Sequence, residues 1–125
     1  MICEGGEVGR AAIWDDDLAE CYFQKALHRV RPNPEVVTSE YILWLMWALA
    51  KSGGLVDSTS KATIAHLTGV KLKSLRIPIP PIEKQKRFVA QVEGIHSILS
   101  QQQTAKESAE LSFQSLLHRA FNGVR

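Results

Sequence analysis

The chain divides at the stretch Ile77-Pro78-Ile79-Pro80-Pro81-Ile82-Glu83-Lys84-Gln85. Proline fixes φ and lacks an amide donor, so these prolines can end a strand or open a helix but cannot lie inside either. No proline occurs after Pro81. The sequence therefore predicts a small unit of mixed structure over residues 1–81, followed by a long helical region over residues 82–125.

The region after the prolines predicts one helix from about Ile82 to Phe121, ended by Asn122-Gly123. Alternating steps of four and three residues trace a heptad seam along it, apolar at both ends and polar in the middle. This seam comprises Phe88, Val92, Ile95, Leu99, Gln102, Lys106, Ala109, Phe113, Leu116 and Ala120. A rod of ~60 Å exceeds what the small unit can cover, so we expect a partner helix. The alternative is a helix folded back as two near Gln101-Gln102-Gln103.

An apolar run from Tyr41 to Ala50 predicts the core helix of the first unit. Thr38 or Ser39 is the expected N-cap, and Gly53-Gly54 the expected end. Because the run is apolar on almost every side, we expect most of its faces to be covered. It has ten residues, whereas a bilayer span needs ~20, so no transmembrane segment is predicted.

Short strands are expected around this helix. Ala11 to Trp14 has strand character after a glycine-rich turn, and Cys21 to Arg31 alternates as a strand does. A short helix capped by Thr68 should follow through Leu75, with Leu72 and Leu75 inward, and then a final edge strand over Arg76 to Ile79. The predicted fold class is α+β: short strands packed on a buried helix, followed by one long helix suited to an antiparallel coiled coil.

Composition is that of an ordinary folded protein, with 45% hydrophobic and 22% charged residues. Cys3 and Cys21 are the only cysteines, without zinc-ligand spacing, so we predict neither a disulfide framework nor a metal site. No cofactor motif occurs, and no secretion signal is visible, so the predicted location is the cytoplasm.

Charge is distributed unevenly along the sequence. Residues 1–20 hold six acids and one base, whereas seven bases and one acid lie between Lys61 and Arg87. This asymmetry favours an anionic partner for the second half of the unit, although a solvated basic face with no partner explains it equally well.

No catalytic arrangement can be assigned, because the four histidines are scattered and no nucleophile motif is present. A nuclease site over Asp15 to Glu20 is an alternative, but no basic catalytic residue follows at short spacing. Asp15-Asp16-Asp17 fits a polar turn better than a metal site, since it lacks the alternate spacing of a calcium loop. A binding function is favoured by elimination.

With these residues in view, the chain resembles the specificity subunit of type I restriction-modification enzymes. Three stretches carry the resemblance in the right order: residues 6–13 (GEVGRAAI), residues 24–32 ending in Arg29-Val30-Arg31-Pro32, and above all residues 75–85 (LRIPIPPIEKQ). The last resembles the family's L-x-x-I-x-I-P-x-P-P-x-x-E-Q junction, with Lys84 where a glutamate is common. Residues 115–123 also resemble the ending of the family's long helix.

The resemblance implies a DNA target-recognition domain, here its C-terminal part, and a long helix that pairs with another helix, sets site spacing and binds methyltransferase subunits. It also implies that the sequence begins inside the recognition domain. About half of that domain and the second repeat are then expected on another chain or in the rest of a longer protein.

Two hypotheses follow from these observations. The first is a non-catalytic, sequence-specific DNA-recognition component of a restriction-modification complex. The second is a truncated subunit that assembles or dimerises through the seam and reads no DNA. Under the first, phosphate contacts are assigned to Lys25, Arg29, Arg31, Lys61, Lys71 and Lys73, and base-edge contacts to Gln24, Thr59, Ser60 and His66.

Overall fold

A computed structural model describes residues 1–55 and 66–123. In chain order its elements are β1 (Ile2–Cys3), β2 (Leu27–His28), α1 (Ser39–Ser52), α2 (Gly69–Ser74) and α3 (Ile82–Asn122). The α+β class is confirmed. The predicted contact residues Thr59, Ser60 and Lys61 lie outside the described residues.

The strands are shorter than the sequence predicts. β1 pairs antiparallel with β2, joining Ile2 to His28 and Cys3 to Leu27, and a single bridge joins Ile2 to Ala11. The predicted strand at 11–14 is therefore one bridge, that at 21–31 is two residues, and no strand forms at 76–79. A two-residue β1 offers only two residues for pairing, which limits how far its neighbours can extend as strands.

The glycine-rich turn between β1 and Ala11 forms as expected. Gly9 N donates to Cys3 O at 3.1 Å, and Cys3 N donates to Arg10 O at 2.8 Å. Gly9 has a φ of +80°, and a Cβ there would lie 2.5 Å from Leu55 Cδ1. The positive φ favours glycine at this position, and any larger residue would also force the Leu55 side chain to move.

The caps of α1 are those that the sequence predicts. Thr38 Oγ1 accepts a hydrogen bond from Tyr41 N at 3.2 Å, and Gly53 ends the helix with a φ of 72°. The expectation that most faces of α1 are covered is met in part: Tyr41 and Met46 are buried and five further apolar residues of the run are half-buried, but Trp47 is 55% exposed. Apolar composition fixed the helix here without determining how much of it is covered.

The main core lies between β1, α1 and α2. Its buried members are Ile2, Met46, Leu55 and Leu67, with Leu72 and Leu75 among the partly buried residues packed on them. The predictions that Leu72 and Leu75 point inward and that Thr68 caps α2 are confirmed; Thr68 Oγ1 accepts from Lys71 N at 3.3 Å.

A second core cluster joins α1 to the start of α3. Val37, Tyr41 and Val89 are its buried members, and Trp44 and Leu45 pack against them. Both partners of this cluster belong to the first of two compact units, which runs from Met1 to Val89; the second begins at Ala90.

α3 is one continuous helix, as the primary prediction states, rather than two helices folded back near residue 102. It ends at Asn122 before Gly123, whose φ is 59°. Among the described helices, none combines the length and apolar character needed to cross a membrane.

Candidate functional site

A cavity of about 720 Å³ opens on the first unit beside β2. Gln24, Arg29 and Arg31, three of the predicted contact residues, line it and are exposed. Apolar side chains from β1 and α1, including Ile2, complete the lining. The lining thus combines two arginines and one glutamine with apolar residues and one acid, Asp16. Arginine and glutamine are residue types that commonly contact phosphates and base edges.

Three aromatic side chains that sequence reasoning passed over also line this cavity. Trp14 is 46% exposed, Tyr22 87% and Phe23 48%. Trp14 Nε1 donates to Asp16 Oδ1 at 3.0 Å, which holds the indole against the turn. These three side chains add exposed aromatic surface to the same lining as Arg29 and Arg31. Two of them could have been predicted to join the site, because Tyr22 and Phe23 directly precede Gln24 in the sequence.

The turn after Trp14 contains three acids. Asp16 adopts a φ of 54°, which is characteristic of a turn and rare for a residue other than glycine. Within residues 1–55 and 66–123, no three His, Cys, Asp or Glu side chains come together as a metal site would need. At the cavity's edge, the Met1 amino group donates to Ala12 O at 2.9 Å, and burial lowers its pKa.

The remaining predicted contact residues do not share this cavity. Lys25 is exposed but not part of its lining, and Lys71 and Lys73 lie on α2. His66 packs next to Gly5, where an added Cβ would lie 3.1 Å from its Nδ1. Among the described residues, the structure therefore gathers three of the seven predicted contacts and leaves four elsewhere.

His28 is held by contacts with two other segments of the first unit. Its Nε2 lies 2.6 Å from Leu67 O and 3.5 Å from Glu4 Oε2, while Leu67 N donates to Glu4 O at 2.7 Å. These contacts tie β2 to the segment before α2. His28 therefore connects the chain around the main core and does not line the cavity.

The junction of the first unit with α3 is built around Gln85, which is 0% exposed. Its Oε1 accepts from Thr38 N at 3.0 Å, and its Nε2 donates to Val36 O at 2.9 Å and to Pro80 O at 2.7 Å. In the sequence alone, Gln85 stands out only as the last residue of the proline-containing motif. The missed signal is its position four residues before Val89, which places an amide on the buried stripe of the helix.

Tyr41 adds to the junction from α1. Its hydroxyl donates to Pro78 O at 3.0 Å, and its ring meets the Phe88 ring edge-on with centroids 5.9 Å apart. The proline stretch and the first turns of α3 are thus both held by the N-terminal end of α1.

The seam of α3 is exposed beyond this junction. Ile95 and Phe113 are each 60% exposed, Leu116 is 59% and Leu99 is 56%. The polar seam positions Gln102 and Lys106 are also exposed, as are Ala109 and Ala120, while Val92 is half-buried. A row of exposed large apolar residues is typical of an interaction surface.

One protein family matches most of the chain. The family model described as "Type I restriction modification DNA specificity domain" matches residues 1–109. The chain is also 28% identical over 123 residues to the type I restriction enzyme EcoBI specificity subunit of Escherichia coli. That alignment covers 94% of this chain but 26% of the relative. No solved structure gives a significant match. The family match covers most of the chain, which therefore belongs to the family of type I restriction modification DNA specificity domains.

Proposed function

We propose that the chain is a non-catalytic, sequence-specific DNA-recognition component of a type I restriction-modification complex, acting in the cytoplasm. The observation that carries this proposal is the specificity-domain match over residues 1–109. The chain spans about a quarter of the length of the curated relative. The DNA target, the partners and the activity of the whole complex are therefore proposed for this chain and not carried over from the relative.

The cavity supports double-stranded DNA as the ligand. Arg29 and Arg31 supply positive charge for phosphates, and Gln24 can pair with a base edge. Phosphate contacts release counterions, so the affinity for DNA should fall steeply as salt is raised. Lys61, although outside the described residues, is the first phosphate contact that we predict from the sequence.

The test measures binding by the assembled complex, with methyltransferase subunits and any further specificity chain present. Lys61→Ala should weaken binding to the recognised duplex about tenfold and reduce the slope of affinity against salt by about 1. Lys51→Ala removes an equal charge from the exposed end of α1 and serves as the control.

Unchanged affinity in Lys61→Ala would remove Lys61 from the contact set. A flat salt response of the unaltered complex would contradict the electrostatic basis of the whole proposal.

For α3 we propose pairing with a second helix, which also forms a docking surface for methyltransferase subunits. A second copy of this chain is the candidate partner favoured by the seam itself. Reflection about Thr104 in an antiparallel pair places Phe88 opposite Ala120, Val92 opposite Leu116, Ile95 opposite Phe113, Leu99 opposite Ala109 and Gln102 opposite Lys106. Phe88 and Leu99 thus face alanines, and the polar layers face each other.

In this register the two-fold axis passes near Thr104, so residues beside Thr104 lie close to their own copies in the partner chain. Ala105→Cys, in a background with Cys3→Ser and Cys21→Ser, should form a disulfide-linked dimer under mild oxidation. Ser112→Cys occupies the same heptad position one repeat later and should not, because the antiparallel register moves the two copies of residue 112 apart. Equal cross-linking of both variants would contradict an antiparallel pair, and a monomer at micromolar concentration would exclude self-pairing.

A further inference from the structure

Gln85 is the most completely buried polar side chain in the described part of the chain. Burial of an amide is unfavourable unless its donors and acceptor are paired. Three bonds with donor–acceptor distances of 2.7–3.0 Å satisfy that need. The side chain therefore lies in a site built for it.

The partners also fix the orientation of the amide. Val36 O and Pro80 O can only accept, so they require the nitrogen, whereas Thr38 N can only donate and requires the oxygen. A carboxylate of the same shape would satisfy Thr38 N but would face two carbonyl oxygens. Glutamine fits this site, and glutamate in its charged form does not.

All three partners are backbone groups, and they come from two separate segments. Val36 and Thr38 lead into α1, where Thr38 is also the N-cap, and Pro80 belongs to the proline stretch before α3. Gln85 itself is the fourth residue of α3, at the end of the first helical turn. One side chain thus connects the start of α1, the proline stretch and the start of α3.

We infer that Gln85 is a positioning residue that sets the direction in which α3 leaves the first unit, and through it the spacing between the two halves of the DNA site. This inference rests on the proposed function. A rotation of about 10° at the start of a helix about 60 Å long moves its far end by about 10 Å, or about three base pairs of B-DNA. Small freedom at this junction would therefore be visible as relaxed spacing.

The direct test is independent of DNA. Spin labels at Lys51→Cys and Ser108→Cys, in the background without Cys3 and Cys21, report the distance between the end of α1 and a distant, exposed part of α3. Labelled chains are diluted in unlabelled protein so that only distances within one chain are seen. Unaltered Gln85 should give a narrow distance distribution, and Gln85→Ala a distribution at least twice as wide.

Gln85→Glu provides a second variant with a pH signature. Two facing carbonyl oxygens should raise the pKa of the introduced carboxyl above its unfolded value of about 4.3. A raised folded pKa means that the stabilising contact is present at low pH and is lost as pH rises through that pKa. The distribution should thus be narrow at pH 5 and broad at pH 8.

Gln91→Glu makes the same chemical change at an exposed position of α3 and should give a pH-independent width. If Gln85→Ala unfolds the chain, the pH series of Gln85→Glu still decides the matter within one folded sample. Equal widths for the unaltered chain and for Gln85→Glu at pH 8 would overturn the inference.

The consequence for DNA is measured in the assembled complex on duplexes whose half-site spacing differs by one base pair. Gln85→Ala should bind neighbouring spacings within about threefold of the preferred one while its affinity for a single half-site stays unchanged. A parallel loss at every spacing would indicate a merely structural role and contradict the inference. Absence of DNA binding by the unaltered complex would defeat the proposed function and leave the spin-label result to decide the positioning role.

Discussion

The two parts of α3 differ in how their apolar residues are covered. The first turns, with Gln85 and Val89, are buried by residues of the same chain. From Ala90 onward, Val92 is the only half-buried residue and the others that the structure describes are exposed, although Ile95, Leu99 and Phe113 continue the apolar row. The first part of the helix is therefore covered by the chain itself, whereas the second part is not, as we expect if the second part pairs with another helix as proposed above.

The largest effect is expected from placing a charge in the covered part of α3. Val89→Asp places a carboxylate among Val37, Tyr41 and the partly buried Trp44 and should lower the free energy of unfolding by about 3 kcal/mol or more. Urea denaturation followed by tryptophan fluorescence measures it. Val70→Asp, at a residue that is 80% exposed, is the matched control and should change stability by less than about 0.5 kcal/mol.

The next effect tests the uncovered part. Leu99→Asp should weaken dimerisation at least about 30-fold, or about 2 kcal/mol, because a charge would enter an apolar layer. Leu111→Asp makes the same change away from the seam, at a residue that is 68% exposed, and should leave the dimer intact. Sedimentation equilibrium measures both, and equal weakening by the two variants would show that the seam is not the interface.

A smaller effect is expected from a substitution in the cavity of the first unit. Arg29→Ala should reduce DNA affinity of the assembled complex about tenfold and its salt slope by about 1. Arg10→Ala removes the same charge from an exposed pair with Glu7 and should change affinity less than twofold. If both variants behave alike in a fluorescence anisotropy titration, the cavity is not the phosphate contact.

The smallest effect is expected from removing one hydrogen bond at the junction. Tyr41→Phe keeps the ring contact with Phe88 but removes the hydrogen bond to Pro78 O. We expect a loss of about 1 kcal/mol in the free energy of unfolding, measured as for Val89→Asp. A loss as large as that of Val89→Asp would mean that this one hydrogen bond, rather than apolar burial, holds the proline stretch.

Sequence reasoning succeeded where structure is determined locally. Thr38, Gly53 and Thr68 cap helices through contacts within a few residues, so their roles could be predicted. Strands depend on distant partners, and nothing near β1 in the sequence indicates that Ile2 pairs with His28.

The candidate site was only partly predictable for the same reason. Gln24, Arg29 and Arg31 share one short segment, and the structure brings them to one cavity. Gln85 was missed because glutamine is usually exposed, and its three partners lie up to 49 residues away in the sequence. Burial that depends on tertiary contacts cannot be read from residue type.

DNA recognition is the central claim, and mapping methylated bases in the genome of cells that express the complete complex tests it most directly. Three samples are compared: cells without this chain, cells with it, and cells with Gln24, Arg29 and Arg31 all replaced by alanine at equal expression. We predict one recurrent methylated sequence in the second sample, none in the first, and a lost or degenerate half-site in the third. The same methylated sequence in the presence and absence of the chain would contradict the claim.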